Sequence, residues 1–296
     1  MRPMLRPGCH VLRRARGDLQ VGLDPRHAVV LPDEPETRSS LALLARCADE
    51  EEYDARLTLD ALGSCGLLLD AESLLPLIPV RGRAPGGRAG VAAVARRTGD
   101  GAPALLEARS RCRVEIVAFA DMADGEMTAE LTRGLEAAGV PVAKASSSSA
   151  AGRVVALVGV GEPPRERTDE WMRAGVPHLL VRLTEGSACV GPFVVPGRTA
   201  CLRCVDAHHT DADASWPLLV TQYAAASSSD RADGVPEPVD SLLARLALAW
   251  AGRDLASFGE GLIPSTWSTT VRLDPQLTSI ETRAWLRHPA CGCAWA

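Results

Sequence analysis

The stretch Val114-Glu-Ile-Val-Ala-Phe119 is an apolar run of strand type, and the alternation that begins with it decides the fold of this 296-residue chain. A helical pattern follows, because Met127, Leu131 and Leu135 recur every four residues and Gly139 ends the segment. Further strand-type runs lie at Val140 to Ala143, Val154 to Val158 and His178 to Leu183, with a helix around Trp171 before the last. Strands that alternate with helices predict a parallel sheet covered by helices, so the expected fold class is α/β.

The rest of this part of the chain continues in the same style. We expect helices near Trp216 to Ala225 and Val239 to Ala251, followed by a hairpin that joins Thr266 to Leu273 and Ser279 to Leu286. Residues 113–296 are therefore predicted to form one α/β domain.

Residues 1–78 are predicted to form a small α+β module. Leu19 to Leu23 and Ala28 to Leu31 are short strands that Asp24-Pro25 separates, as in a hairpin. Pro35 lies in the first turn of the helix that follows.

A second helix of this module is expected to open at the acidic run Asp49 to Glu52 and to carry Tyr53, Leu57 and Leu62 up to Gly63. Two strands, two helices and an apolar tail resemble a winged helix. The alternative is a plain structural subdomain.

Residues 79–112 are predicted to be a basic linker region. Arg81 to Arg88 is rich in Gly, Pro and Arg, which favours a loop. Eight arginines between Arg81 and Arg113 meet only Asp100 and Glu107, so the local net charge is +6. Such a patch suits a phosphate backbone or an acidic partner. No aromatic side chains interleave it as stacking platforms, which favours a solvated segment between domains.

Two cysteine pairs carry the clearest chemistry of the sequence. Cys201 and Cys204 form one pair, and Cys291 and Cys293 form the other. Two thiolates on one tight turn can bind one metal ion, and two such turns complete a tetrahedral four-sulfur site that suits zinc. The 86 residues between the pairs exceed the spacing in a zinc ribbon, so the metal would clamp the C-terminal end onto the middle of the chain. A redox role of the first pair is the alternative.

The other cysteines and the nearby histidines show no such pattern. His208-His209 is either a ligand pair or a surface pair, and a surface pair is favoured because four sulfurs already fill the site. His288 is a weak alternative ligand. The remaining cysteines are expected to be small core residues: Cys9, Cys47, Cys65, Cys112 and Cys189.

Charge and composition exclude several classes of protein. A formal net charge of −5 does not suit binding of nucleic acid over the whole surface. No apolar run reaches the roughly 18 residues of a membrane span, and no apolar segment follows the N-terminal arginines as in a secretory signal. Nine cysteines without an export signal are expected to stay reduced, so a cytoplasmic location is expected.

Four motifs of the sequence resemble one family. They are Gly175-Val-Pro-His-Leu-Leu-Val-Arg-Leu, Val190-Gly-Pro-Phe-Val-Val-Pro-Gly-Arg-Thr-Ala-Cys-Leu-Arg-Cys204, Ala207-His-His-Thr-Asp-Ala-Asp-Ala-Ser-Trp-Pro217 and His288-Pro-Ala-Cys-Gly-Cys293. Together they look like the ThiF/MoeB-like proteins of thiazole/oxazole-modified peptide clusters, which are described as cyclodehydratase partners or precursor leader-peptide-binding proteins. In addition, Leu19-Gln-Val-Gly-Leu-Asp-Pro25 is similar to the start of the family's winged-helix peptide-recognition element.

This resemblance implies a fold, a metal and partners. The fold is an adenylating-enzyme-like Rossmann fold with a four-cysteine zinc site. The partners are a precursor leader peptide and a YcaO-type ATP-dependent enzyme to which the substrate is presented. Tyr53 and Leu57 are the candidate peptide-binding residues of the N-terminal module. A homodimer is left open.

The chain departs from the adenylating members of the family at the first strand. Those relatives carry Gly-x-Gly-x-x-Gly there, so that backbone can approach phosphate. This sequence has Phe119-Ala-Asp-Met-Ala-Asp124 instead, and Asp121 and Asp124 would repel polyphosphate. The fold is therefore expected to be degenerate, without catalytic or nucleotide-binding residues.

Three functional hypotheses follow. The first is a non-catalytic scaffold that binds a leader peptide, which would add as a strand to the edge of the small sheet. The second is an ATP-dependent adenylating enzyme of the ThiF/MoeB class. The third is a winged-helix nucleic-acid-binding protein, which the acidic residues Glu50 to Glu52 disfavour.

Overall fold

The computed structural model describes residues 2–15, 17–53, 56–78, 87–120, 125–143, 152–227, 233 and 235–293, with the backbone alone at residues 56 and 57. The chain divides into two compact units, Met1–Glu107 and Ala108–Ala296. The finer division at residues 78 and 112 stays a prediction.

The first unit contains two small antiparallel sheets. One pairs β1 (Pro3–Leu5) with β5 (Leu68–Asp70), and the other has the order β2-β3-β4, formed by β2 (Val11–Arg13), β3 (Leu19–Val21) and β4 (Val29–Leu31). The predicted hairpin is confirmed, because β3 and β4 pair with Gln20 opposite Val30. In the three-stranded sheet β2 and β4 are the edge strands.

Five α-helices begin among the described residues of this unit. They are α1 (Pro35–Ala45), α2 (Arg56–Ser64), α3 (Ala71–Leu74), α4 (Gly87–Thr98) and α5 (Ala102–Arg111), whose last residues belong to the second unit. Pro35 begins α1 as predicted. The acidic run does not continue into α2: residues 50–52 form a separate short 3₁₀ turn, so Tyr53 lies before the helix.

The segment expected to be a linker contains α4 and α5. Its Gly- and Arg-rich composition favours loop, but packing overrides that preference. Val94, Ala95 and Ala102 form a buried cluster with Leu69 and Leu74, which lie before residue 78. The hydrophobic core of the first unit therefore extends to about residue 106.

The second unit is built on a seven-stranded mixed sheet of order β12-β11-β10-β9-β8-β6-β7. Its strands are β6 (Arg113–Ala120), β7 (Val142–Ala143), β8 (Arg153–Val160), β9 (His178–Thr184), β10 (Ser187–Val194), β11 (Thr269–Leu273) and β12 (Ile280–Ala284). The first four in chain order pair in parallel, which confirms the α/β class, and β11 and β12 form the predicted hairpin.

Helices pack on both faces of this sheet. They are α6 (Glu126–Ala137), α7 (Arg165–Arg173), α8 (Leu202–Ala212) and α10 (Ser241–Gly259), while α9 (Trp216–Ser227) contacts α8. The core on one face joins the sheet to α6 and α10, and the core on the other joins it to α7 and α8. Leu157 and Val158 of β8 are fully buried on opposite faces. Each contributes roughly 1.5–3 kcal/mol by leaving water.

Strand β10 was not predicted. Gly191-Pro192 lies inside it, and a proline normally argues against a central strand because it has no N–H to donate to the neighbouring strand. The register of β9 and β10 shifts between Val190 and Phe193, and this irregularity accommodates the two residues. Among the described residues, no helix has both the length and the hydropathy that a membrane crossing requires.

Candidate functional site

The first cysteine pair lies at the start of α8. Cys201 is the N-cap residue of this helix, and the backbone N–H of Cys204 donates to the carbonyl oxygen of Cys201 at 3.0 Å. One turn of helix therefore points both sulfurs the same way, and both side chains are buried. The positive end of the helix dipole favours negative charge on these sulfurs.

The second pair lies on a tight turn near the C-terminal end of the described chain. A 3₁₀ turn spans Pro289–Cys291, and Gly292 follows with a φ of 76°. Only glycine adopts this left-handed backbone without strain, so Gly292 allows Cys291 and Cys293 to face the same point. Arg287 holds the turn, because its guanidinium donates to the carbonyl oxygens of Gly197 and Cys293.

The turns bring the four sulfurs together. The Sγ–Sγ distances are 3.7 Å for Cys201–Cys204, 3.4 Å for Cys201–Cys291 and 3.2 Å for Cys204–Cys293, and all four atoms lie within 4.8 Å of one another. Sulfurs about 2.3 Å from a tetrahedral zinc ion would be about 3.8 Å apart, whereas a disulfide needs about 2.0 Å. The cluster is compatible with a structural metal ion.

Three thiols of the cluster, those of Cys201, Cys204 and Cys291, differ in pKa. The hydrogen bond from the Cys201 thiol lowers the pKa of Cys204 to about 4, and the same bond raises the pKa of Cys201. Burial raises the pKa of Cys291 to about 12. Metal binding must therefore displace protons from Cys201 and Cys291, and it becomes stronger as the pH rises.

The nearby histidines are occupied by other contacts. His288 accepts a hydrogen bond from the N–H of Ala290 at Nδ1, so its Nε2 carries the proton that Asp211 accepts at 2.9 Å. His208 bonds the carbonyl oxygen of Leu286 through Nε2. His209 stacks on Trp216, and burial lowers its pKa. Both histidines are half-buried against aromatic rings, so the expected surface pair is only partly exposed.

Tyr53, one of the two candidate peptide-binding residues, is buried. Tyr53 is 6% exposed and packs in the core of the first unit, where burial raises its pKa. A peptide at the sheet edge cannot reach this side chain in the present conformation. The side chain of Leu57 lies outside the described residues. The winged-helix assignment of this unit stays a prediction.

The expected loss of the nucleotide loop also stays a prediction, because Asp121 and Asp124 lie outside the described residues. The structure explains a neighbouring glycine instead. A Cβ added to Gly159 would lie 2.6 Å from the carbonyl oxygen of Ala120, so close packing of β6 and β8 requires glycine there.

A cavity of about 360 Å³ beside α8 escaped the sequence analysis. It lies at the carboxyl ends of β8 and β9, where α/β sheets commonly bind ligands. Glu162 bonds Arg182 and Arg165, and Arg165 also bonds Asp206 at 2.8 and 2.9 Å. Burial opposes ionisation of Asp206, but the bonds from Arg165 still lower its pKa. The sequence signal that could have indicated this cavity was Arg182, a charged residue within an otherwise apolar strand.

No protein-family model and no curated protein matches this chain. Solved structures do resemble it. The heterocyclase TruD aligns with 99% of the chain at a TM-score of 0.65 and 17% identity, but the chain spans only 42% of the length of TruD.

Two structures of MccB are similar over the whole of both chains. E. coli MccB with ATP aligns at a TM-score of 0.60 and 11% identity, covering 99% of this chain and 100% of MccB. The microcin C7 biosynthetic enzyme MccB with N-formylated MccA aligns at 0.59 and 10% identity, covering 99% and 100%. At these identities the likeness shows a common fold.

Proposed function

We propose that this chain is a ThiF/MoeB-like scaffold that binds the leader of a precursor peptide and presents the peptide to a YcaO-type cyclodehydratase. In this role the chain supplies recognition and positioning, while its partner supplies the chemistry that forms thiazole or oxazole rings. Its function then depends on a peptide-binding surface and on a rigid C-terminal unit.

One observation carries this proposal. The chain aligns with full-length MccB, including the first unit with its small sheets, and MccB was solved in complex with MccA. The likeness to the heterocyclase TruD favours peptide heterocyclisation as the setting. The family resemblance of the Gly175 to Pro217 region points the same way.

The four cysteines have a structural role in this proposal. Cys201, Cys204, Cys291 and Cys293 would hold Zn²⁺, and four sulfurs leave no position for water or substrate. The bound ion would supply cohesion, because it would tie the turn after β12 to the start of α8. The chain itself already orients both turns through Gly292 and Arg287.

The peptide is proposed to add to β4. This strand is an edge of the three-stranded sheet, its outward side chain Val30 is 49% exposed, and α2 packs beside it. Main-chain hydrogen bonds to the free edge would provide affinity, and the helix would contact alternate side chains of the peptide.

The opposite edges of this sheet provide a matched test. Leu12 of β2, Gln20 of β3 and Val30 of β4 form one cross-strand row. Lysine on an edge strand opposes the addition of another strand. Val30→Lys in the full chain should weaken binding of a labelled leader peptide, encoded by a neighbouring gene, by about threefold or more, since cross-strand pairs contribute up to about 1 kcal/mol. Fluorescence anisotropy measures the affinity.

Leu12→Lys places the same charge on the same face at the other edge, and should leave the affinity unchanged. Equal affinities of both variants and the parent chain would exclude the β4 edge as the binding site. Absence of leader binding by the parent chain would contradict the scaffold function itself.

A second candidate is an adenylating enzyme, which the likeness to MccB solved with ATP favours. The sequence opposes it, because Asp121 and Asp124 stand where adenylating relatives have glycines. Pyrophosphate exchange into ATP decides between the two. The scaffold predicts no exchange above background with the precursor peptide present, and robust peptide-dependent exchange would establish the enzyme.

A further inference from the structure

The cavity beside α8 contains a cysteine that the proposed function does not use. Cys189 lies on β10, and its neighbours Ala188 and Val190 point into the core on the other face of the sheet. The alternation of the strand therefore turns the half-buried Cys189 side chain toward the cavity, which it lines.

Two arginines flank this cysteine on adjacent strands. The register places Arg182 of β9 and Arg272 of β11 directly opposite Cys189, one on each side. An Nη2 atom of Arg182 lies 3.4 Å from the Cys189 sulfur and donates to it. The sulfur thus accepts a hydrogen bond from one cationic side chain, and a second cationic residue lies on the next strand.

Acidic groups also face the cavity, but two of them already form ion pairs with arginines. Glu162 bonds Arg182 and Arg165, and Asp206 bonds Arg165. Glu185 and Glu281 are exposed at the rim, and Glu281 stands opposite Arg272 across β11 and β12.

The two arginines differ in their capacity for an anion. Arg272 bonds the hydroxyl of Ser187 at 3.2 Å and forms no ion pair within the described chain. Arg182 is 8% exposed, and its Nε has no hydrogen-bond acceptor among the described residues. This Nε has almost no accessible surface, so an anionic ligand in the cavity would pair with the guanidinium of Arg272.

We propose that Cys189 is a modification site that reacts with a low-molecular-weight disulfide bearing carboxylate groups. The Cys189 thiolate attacks one sulfur of the disulfide, a new S–S bond forms as the old one breaks, and the other half leaves as a thiolate. The protein thiol is oxidised and the leaving half is reduced, so no further oxidant is needed. Carboxylates of the attached half would face Arg182 and Arg272. This site is independent of peptide binding by the first unit.

Two alkylating reagents of similar size but different charge test the proposal on the full chain with its metal bound. Iodoacetate is anionic and iodoacetamide is neutral, and mass spectrometry of digested protein gives the rate at each cysteine. Cys65 is exposed beside the neutral Ser64 and serves as the internal reference. The iodoacetate-to-iodoacetamide rate ratio should be at least about threefold higher at Cys189 than at Cys65, because nearby positive charge attracts the anionic reagent.

Arg272→Gln should lower the ratio at Cys189 about twofold or more at low salt. Arg245→Gln removes the same charge from α10 on the opposite face of the sheet and should leave the ratio unchanged. Oxidised glutathione, the disulfide probe, should form its mixed disulfide faster at Cys189 than at Cys65. Equal ratios at the two cysteines, no effect of Arg272→Gln, or adduct at Cys65 but not at Cys189 would each overturn the proposal.

Discussion

At the scale of single residues, the four clustered cysteines lead to the most specific prediction, which is that they bind a metal ion. Their sulfurs converge although the two pairs are far apart in sequence, and the raised pKa values of Cys201 and Cys291 mean that a bound cation would have to displace their protons. A structural ion would therefore be bound tightly at neutral pH and released by acid.

Replacement of both first-pair cysteines tests this claim. The parent chain should carry about one zinc ion, and Cys201→Ser/Cys204→Ser should lose it, because two sulfurs cannot complete the tetrahedral site. Elemental analysis by mass spectrometry measures the metal content. Cys65→Ser is the control and should keep the metal. Full metal retention in the double variant would show that these residues do not bind it.

The burial of His178 leads to a separate prediction, which concerns how the stability of the fold depends on pH. Burial lowers its pKa to about 4, and its Nδ1–H donates to the carbonyl oxygen of Val176 at 3.0 Å. The unfolded chain takes up a proton near pH 6.5 and the folded chain does not. The contribution to stability is therefore complete above about pH 6.5 and falls by on the order of 3 kcal/mol as the pH drops to about 4.

Urea unfolding at a series of pH values measures this loss. His178→Gln cannot titrate, so the difference in unfolding free energy between parent and variant should change over this pH interval. Metal release affects both proteins alike and cancels in the difference. A difference that does not vary with pH would show that His178 does not titrate as the structure indicates.

At the scale of elements, the first unit depends on the helices after residue 78. Leu69 and Leu74 pack against α4 and α5, and the side chain of Asp100 accepts the backbone N–H of Asp70 at 2.7 Å. A fragment of residues 1–107 should therefore unfold cooperatively. A fragment of residues 1–78 should be less stable by several kcal/mol, because it exposes both leucines.

Thermal unfolding followed by circular dichroism compares the two fragments. Equal melting temperatures would show that α4 and α5 add nothing to this core. That result would favour the shorter module expected from the sequence.

The sequence predicted those elements whose signals are local. The strands β6, β8 and β9 are runs of Val, Leu and Ile, and α6 repeats Met127, Leu131 and Leu135 on one face. Elements that depend on distant packing were missed. Gly191-Pro192 concealed β10, and the arginines of residues 79–112 concealed α4 and α5.

At the scale of the whole molecule, the candidate site could be predicted from sequence where its residues lie close together in the chain. The cysteine pairs are two and three residues apart, so sequence alone indicated the metal cluster. The sequence did not predict the cavity, because its lining residues come from different elements and meet only through the register of the sheet. They include Glu162, Arg182, Cys189 and Arg272. Tyr53 lies before α2 and packs in the core of the first unit, a contact with distant residues that the local sequence does not reveal.

Direct titration of the full chain with the leader peptide tests the central claim, that this molecule is a peptide-binding scaffold. Isothermal calorimetry should show saturable binding near the micromolar level, about −8 kcal/mol. The affinity should change little between low and high salt, because strand addition relies on main-chain hydrogen bonds and not on charge. A shuffled leader should bind at least about tenfold more weakly. No saturable binding of the leader, or equal binding of the shuffled sequence, would contradict the account.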